Sequence, residues 1–145
     1  RLAEMALHML RAVPVTHHND CLITGGEPVV KLVPEAIRGL GGRNQQLILS
    51  AYQTLLASDL SEREWQGLCL LSGGTDGEDG PTDAAGAILD NEVHQNARRQ
   101  QLNPDEYLQR NDAYHFFEQA GGLLITGPTG TNVCDVRVVV VTPMT

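Results

Sequence analysis

Glycine divides this chain. Gly25-Gly26, Gly39-Gly41-Gly42, Gly73-Gly74-Gly77-Gly80, Gly121-Gly122 and Gly127-Gly130 form clusters, and only Gly67 and Gly86 stand apart. Runs of Leu, Ile and Val lie between the clusters, so this is not the composition of a flexible linker. Glycine reaches backbone angles that other residues avoid. The pattern therefore describes a rigid scaffold carrying several special-backbone loops. With 145 residues the chain is long enough for one domain and short for two.

Elements alternate between the clusters. Arg1–Val13 reads as a helix with Leu2, Met5, Ala6, Met9 and Leu10 on one face, stopped by Pro14 and followed by a polar turn at His17-His18-Asn19-Asp20. It has no cap, so residues 1–20 are expected to be a helix and turn continuing from a domain upstream. Residues 21–145 are expected to form the α/β domain itself. Cys21–Thr24 is expected as a short buried strand and Pro28–Leu32 as a second. Leu47, Ile48, Ala51, Tyr52, Leu55 and Leu56 make one apolar stripe at helical period, the clearest helix of the chain. Ser61 with Glu64 forms a capping-box pattern.

Gly67–Ser72 is a continuous apolar run of strand length, the pattern of a sheet covered on both faces. A helix over Thr82–Leu89 is expected next, then a polar helix from Asp90 or Asn91 to Gln101. Asn103-Pro104-Asp105-Glu106 starts another, and Asp112–Ala120 is the last, closed by Gly121-Gly122. Leu123–Thr126 and the β-branched run Val133–Val141 are strands, with Pro143 as a stop. Strands alternating with helices give the α/β class: a layered domain with a mixed, largely buried β-sheet flanked by helices.

Charge and thiols narrow the function. Ten basic residues stand against 18 acidic ones, a net of −8. A nucleic-acid binder carries a basic patch, which this chain lacks, and an anionic membrane surface would repel it. No apolar stretch approaches the roughly 20 residues that span a bilayer. Arg1–Leu10 holds Glu4 and His8 in an amphipathic pattern, unlike a signal peptide. Cys21, Cys69 and Cys134 are widely separated in apolar runs. They are expected as three buried, reduced thiols of a cytoplasmic protein, not as a disulfide framework or a zinc site.

Three loops carry the candidate chemistry. Gly41-Gly42-Arg43-Asn44 opens a helix, where glycines let backbone N–H groups approach an anion and Arg43 offers a guanidinium fork. It is equally a tight turn with a solvated arginine. Thr75–Asp83 puts Asp76, Glu78, Asp79 and Asp83 at the end of a strand read as parallel, where ligands of open α/β sheets sit. Such oxygen clusters suit Mg²⁺ or a general base. Asp76, between Thr75 and Gly77, is the strongest candidate, with Glu78 and Asp79 read as solvated caps. Gly127-Pro128-Thr129-Gly130-Thr131-Asn132 supplies hydroxyls, an amide and bare backbone suited to orienting a polar ligand, or is an ordinary turn. His17-His18 lacks a third metal ligand, and His94 and His115 fall on helices as surface or core residues. The motifs of a P-loop and of a dinucleotide fold are both absent.

Together TGGEPVV, GLGGRNQQL, LLSGGTDGEDGPTDAAGA and TGPTGTNVCDV, in this order, resemble the C-terminal domain of class II glycerate kinases, the MOFRL family. The likeness covers about Cys21 to Thr142, and the GTDGEDGPTDAAGA string is highly specific. The resemblance implies a kinase that moves the γ-phosphoryl of ATP, with Mg²⁺, to a glycerate hydroxyl. Its active site is implied to lie in a cleft shared with a larger N-terminal domain of the same protein. Arg43 is implied to bind phosphate or the glycerate carboxylate. Asp76 is implied to orient Mg²⁺ or the attacking hydroxyl, and Asn132 to position substrate or nucleotide. Gly41, Gly42, Asn44, Thr75, Gly77, Thr129, Gly130 and Thr131 are expected to line the substrate and phosphates. The catalytic lysine is implied to lie in the other domain, in keeping with Lys31, the single lysine here, standing outside every motif. This chain alone is then expected to be inactive. A hydroxypyruvate reductase and a non-catalytic anion-binding module that supports a partner domain are the alternatives.

Overall fold

The computed structural model of the chain describes residues 1–16 and 20–143. The polar turn expected at His17-His18-Asn19 lies outside the described residues. Helix α1 spans Leu2–Thr16, running past Pro14. Proline lacks an N–H but its φ is helical, so it need not end a helix at once. Leu2, Ala3, Ala6, Met9 and Leu10 of α1 are buried, whereas Met5 is turned out.

The strands are β1 (Asp20–Gly25), β2 (Leu68–Gly74), β3 (Gly86–Leu89), β4 (Leu123–Leu124) and β5 (Asp135–Val141). They form one sheet in the order β1-β5-β2-β3-β4, and every described strand pair is antiparallel. The α/β layering is as expected, but β2 has no parallel neighbour, so the carboxyl-end rule for parallel sheets does not account for the loop that follows it. An apolar run reports burial, not the direction of its neighbours.

The helices are α2 (Arg43–Leu56), α3 (Glu62–Gln66), α4 (Asn91–Arg99), α5 (Pro104–Gln109) and α6 (Ala113–Ala120). Their starts follow local chemistry. The capping box of Ser61 and Glu64 opens α3, Asp90 accepts from the Val93 N–H at α4, and Asn103 accepts from the Asp105 N–H ahead of Pro104 at α5. Gly121, at φ 80°, closes α6.

These helices pack on one face of the sheet. There the register aligns Leu22, Val139, Leu70 and Leu89 in a row, with Val141 beside Leu68. Ile48, Leu49, Leu55, Phe116 and Phe117 complete this core, all fully buried. The other face carries the rows Cys21-Val140-Cys69 and Ile23-Val138-Leu71-Ile88. None of these seven residues belongs to the core.

Several segments depart from expectation. β1 is an exposed edge strand, with Ile23 67% exposed. Cys21 is exposed and Cys69 half-buried, and Cys134 is exposed in a loop; all three are free thiols but none is fully buried. The segment expected as a second strand at Pro28–Leu32 is irregular, with Val29 and Leu32 exposed. Its backbone is tied to a side chain instead of a sheet: Asn111 Oδ1 accepts from the Val33 N–H at 2.8 Å and Asn111 Nδ2 donates to the Lys31 carbonyl. The helix expected over Thr82–Leu89 is a bend followed by β3, because small Ala and Gly side chains let this segment pair closely with both β2 and β4.

Candidate functional site

All three loops come to one end of the sheet, where β2 and β1 finish and β5 begins. The Thr75–Asp79 loop and the Thr126–Cys134 loop are sewn to each other. Thr75 donates through both its N–H and its Oγ1 to the Cys134 carbonyl, at 3.1 and 2.7 Å. The Val133 N–H donates to Thr75 Oγ1 at 2.8 Å, the Thr129 N–H to the Asp76 carbonyl at 3.1 Å, and Thr129 Oγ1 to the Thr75 carbonyl. Gly77 is held at φ 90°, and a Cβ there would lie 2.1 Å from the Gly127 carbonyl oxygen. Only glycine allows so close an approach of the two loops.

This seam positions Asp76 and Asn132. Asn132 Nδ2 donates to Asp76 Oδ2 at 3.2 Å, and the Glu78 N–H donates to Asp76 Oδ1 at 3.1 Å. Asn132 Oδ1 accepts from the Cys134 N–H at 3.0 Å, which fixes its amide. Cys134 takes φ 70°, a left-handed backbone angle that a non-glycine residue seldom adopts. Gly130 has open space around it, and Thr131 and Asn132 are exposed. Glu78 and Asp83 are exposed too, the latter accepting from Tyr114 Oη at 2.8 Å.

At Gly41-Gly42-Arg43-Asn44 the helix N-terminus is already filled from within. Asp79 is buried and brings its carboxylate to the start of α2, where Oδ1 accepts from the Asn44 N–H at 3.0 Å and Oδ2 from the Gln45 N–H at 2.9 Å. The Asn44 side chain also donates to Asp79 and accepts from Ser72 Oγ. Gly42 makes room for this carboxylate, since a Cβ there would lie 2.1 Å from Asp79 Cγ. Burial pushes the Asp79 carboxyl up, the Asn44 and Gln45 donors pull it down, and neighbouring Asp135 adds to the upward shift. Asp79 is therefore not a solvated cap. It takes the backbone donors that a ligand anion would need, and Asn44 faces inward. Within this loop Arg43 is the group that remains to meet an anion.

The Arg43 side chain is half exposed and lies 3.7 Å from both Glu27 Oε1 and Asp135 Oδ2. Asp135 is buried at the head of β5, paired with Gly74, and its Oδ2 accepts no hydrogen bond among the described residues. A Cβ on Gly74 would lie 2.9 Å from Asp76 Oδ1 and 3.6 Å from Asp135 Oδ1. Asp135 thus stands between the Asp76–Asn132 pair and Arg43. Reading the sequence misses Asp135, Asp79 and Glu27: the first opens a β-branched run and resembles an ordinary strand start, and the other two gain a role only through the fold.

Among the described residues no three His, Cys, Asp or Glu side chains gather as a metal site. Mg²⁺ commonly takes only one or two carboxylates and completes its shell with phosphates and water. Asp76, accessible at the seam, is compatible with that mode of binding. No helix of the described residues is long and apolar enough to cross a membrane.

Comparison with known proteins places the site in context. The model of the MOFRL family matches residues 20–135. A glycerate kinase of Danio rerio is 46% identical over 127 residues, covering 85% of this chain and 24% of that protein. A D-glycerate 2-kinase of Thermotoga maritima is 47% identical over 114 residues, covering 79% and 25%. The crystal structure of a glycerate kinase from Thermotoga maritima superimposes with a TM-score of 0.78 at 39% identity, over 97% of this chain and 32% of that one. A solved structure from Pyrococcus horikoshii gives 0.74 at 31%, over 99% and 32%. The chain thus spans about a quarter to a third of the length of these relatives.

Proposed function

The chain belongs to the MOFRL family, and from that premise we propose that it is the C-terminal part of a cytoplasmic glycerate kinase, contributing one wall of a cleft completed by an N-terminal domain of the same protein. The observation that carries the reading is the convergence of Asp76, Asn132 and Arg43, from three separate loops, on one end of the sheet.

The reaction joins the glycerate hydroxyl oxygen to the γ-phosphorus of ATP as the bond from that phosphorus to the bridging oxygen breaks and ADP leaves. Catalysis of this kind rests on positioning and on charge stabilisation at the phosphates. Arg43 binds the glycerate carboxylate or a phosphate through its guanidinium. Asp76 receives the proton of the attacking hydroxyl or would hold Mg²⁺, and Asn132 keeps the Asp76 carboxylate aimed. Bound Mg²⁺ supplies neutralisation of phosphate charge. Thr75, Gly77, Thr129, Gly130 and Thr131 shape the rim, and Gly41 and Gly42 set the start of α2; Asn44 and Asp79 hold that helix from below.

In the full-length kinase, Asp76→Asn is expected to lower kcat by roughly 100-fold or more while the far-ultraviolet circular dichroism stays unchanged. Near-normal turnover would remove Asp76 from the mechanism.

A further inference from the structure

We propose that the open face of the sheet is a docking surface for another segment of the same polypeptide, a helical layer laid across β1, β5, β2 and β3. This rests on the reading that the chain is one part of a larger kinase. Side chains directly opposite each other in an antiparallel sheet share a face. The register therefore sends Ile23, Val138, Leu71 and Ile88 to one side together, with Cys21 and Cys69 in the next row. An antiparallel sheet that faces water alternates apolar-in with polar-out. Here both faces are apolar, and the described helices cover only one. A contiguous apolar surface of that kind marks an interface.

Three observations select the occupant. The solved relatives match nearly all of this chain with only 32% of their own length, so about two thirds of such a polypeptide lies elsewhere. A second copy is disfavoured by charge, because each chain carries a net −8 and the rows of this face hold no basic residue to offset the repulsion. The face also runs to the loop end of the sheet: its third row, Gly25, Val136, Gly73 and Gly86, is one residue short of Gly74 and Asp135, where the site begins. A layer covering the face therefore reaches the rim of the cleft. The chemistry is that of an apolar helix stripe, since the rows present only aliphatic groups, thiols and bare backbone already paired within the sheet.

Cys21 and Cys69 are natural probes of this face. Cys21 is the decisive one, being exposed in this chain, whereas burial and then Asp90 already push the Cys69 thiol up. The full-length kinase is treated with N-ethylmaleimide, native and urea-unfolded, and each site is followed by peptide mass mapping. Cys21 is expected to react at least about 100-fold more slowly in the native protein, independently of protein concentration. A native rate within a few-fold of the unfolded rate overturns the proposal. So does protection that disappears on dilution, which would mean a second copy. Glycerate phosphorylation is assayed on the same sample. Activity with an open Cys21 sinks the docking and spares the kinase reading; protection without activity does the reverse.

Discussion

Asp112 shows how much one side chain can organise. Its Oδ1 accepts from the Leu40 N–H at 2.9 Å and meets His115 Nδ1 at 2.6 Å, and its Oδ2 accepts from Arg110 Nε at 3.0 Å. Burial opposes the charge, but the Leu40, His115 and Arg110 bonds outweigh it and hold the carboxyl below its ordinary value. A depressed folded value means that the stabilisation is present above the ordinary carboxylate range and is lost as pH falls through the folded value. Asp112→Ala is expected to cost about 2–4 kcal/mol at neutral pH, since it strands a backbone donor and breaks two charged contacts. The deficit should shrink towards pH 3, read from urea midpoints; an equal deficit at both pH values would contradict the linkage. Residues of this kind are hard to read from sequence. Asp76 and Asn132 stand out because their motifs are specific, whereas Asp79, Asp112 and Asp135 acquire distant partners, 34 to 72 positions away or on a neighbouring strand, only when the chain folds.

Elements were legible where their signals are local. The apolar stripe of α2, the capping box of α3 and the caps of α4 and α5 depend on neighbours within one or two turns, so sequence suffices. β3 and the segment around Pro28 were not legible, because pairing partners decide whether a short run becomes a strand. How elements clasp each other is likewise tertiary. Tyr52 of α2, Trp65 of α3 and His94 of α4 meet in one buried cluster, with Trp65 and His94 stacked at 3.9 Å and Tyr52 Oη 3.0 Å from His94 Nδ1. Burial, then the Arg98 charge, lowers the His94 value against a weaker opposing effect of Glu62. Burial also raises the Tyr52 hydroxyl to about 12, so it stays protonated beside the imidazole. A lowered folded value means that His94 adds stability above its ordinary value and loses it as pH drops from there towards the folded value. Cooling of the thermal midpoint between pH 7 and pH 5 is therefore expected in the parent chain and should be reduced in His94→Gln. An unchanged slope in that variant would mean that the cluster is not the source.

At the scale of the molecule the charge distribution limits what this chain does alone. Part of its acidic charge lies where anions should bind, since Asp76, Asp79 and Asp135 gather at the loop end and Glu27 flanks Arg43. ATP and glycerate are both anions, and like charges a few ångströms apart in a partly dry site repel by several kcal/mol, on the order of 4 at an effective dielectric of about 20. Arg43, already shared between two carboxylates, offsets only part of that. On the proposed reading, phosphate binding then needs more positive charge than Arg43, and Arg137 beside Gly26, supply at the loop end, from Mg²⁺ and from the remainder of a longer polypeptide. The 145-residue chain is accordingly expected to release no ADP above the enzyme-free rate when given glycerate, ATP and Mg²⁺ in a coupled assay, while the full-length kinase turns over under the same conditions. Sustained turnover by the short chain would show that its own loops overcome the repulsion, and the shared cleft would have to be abandoned.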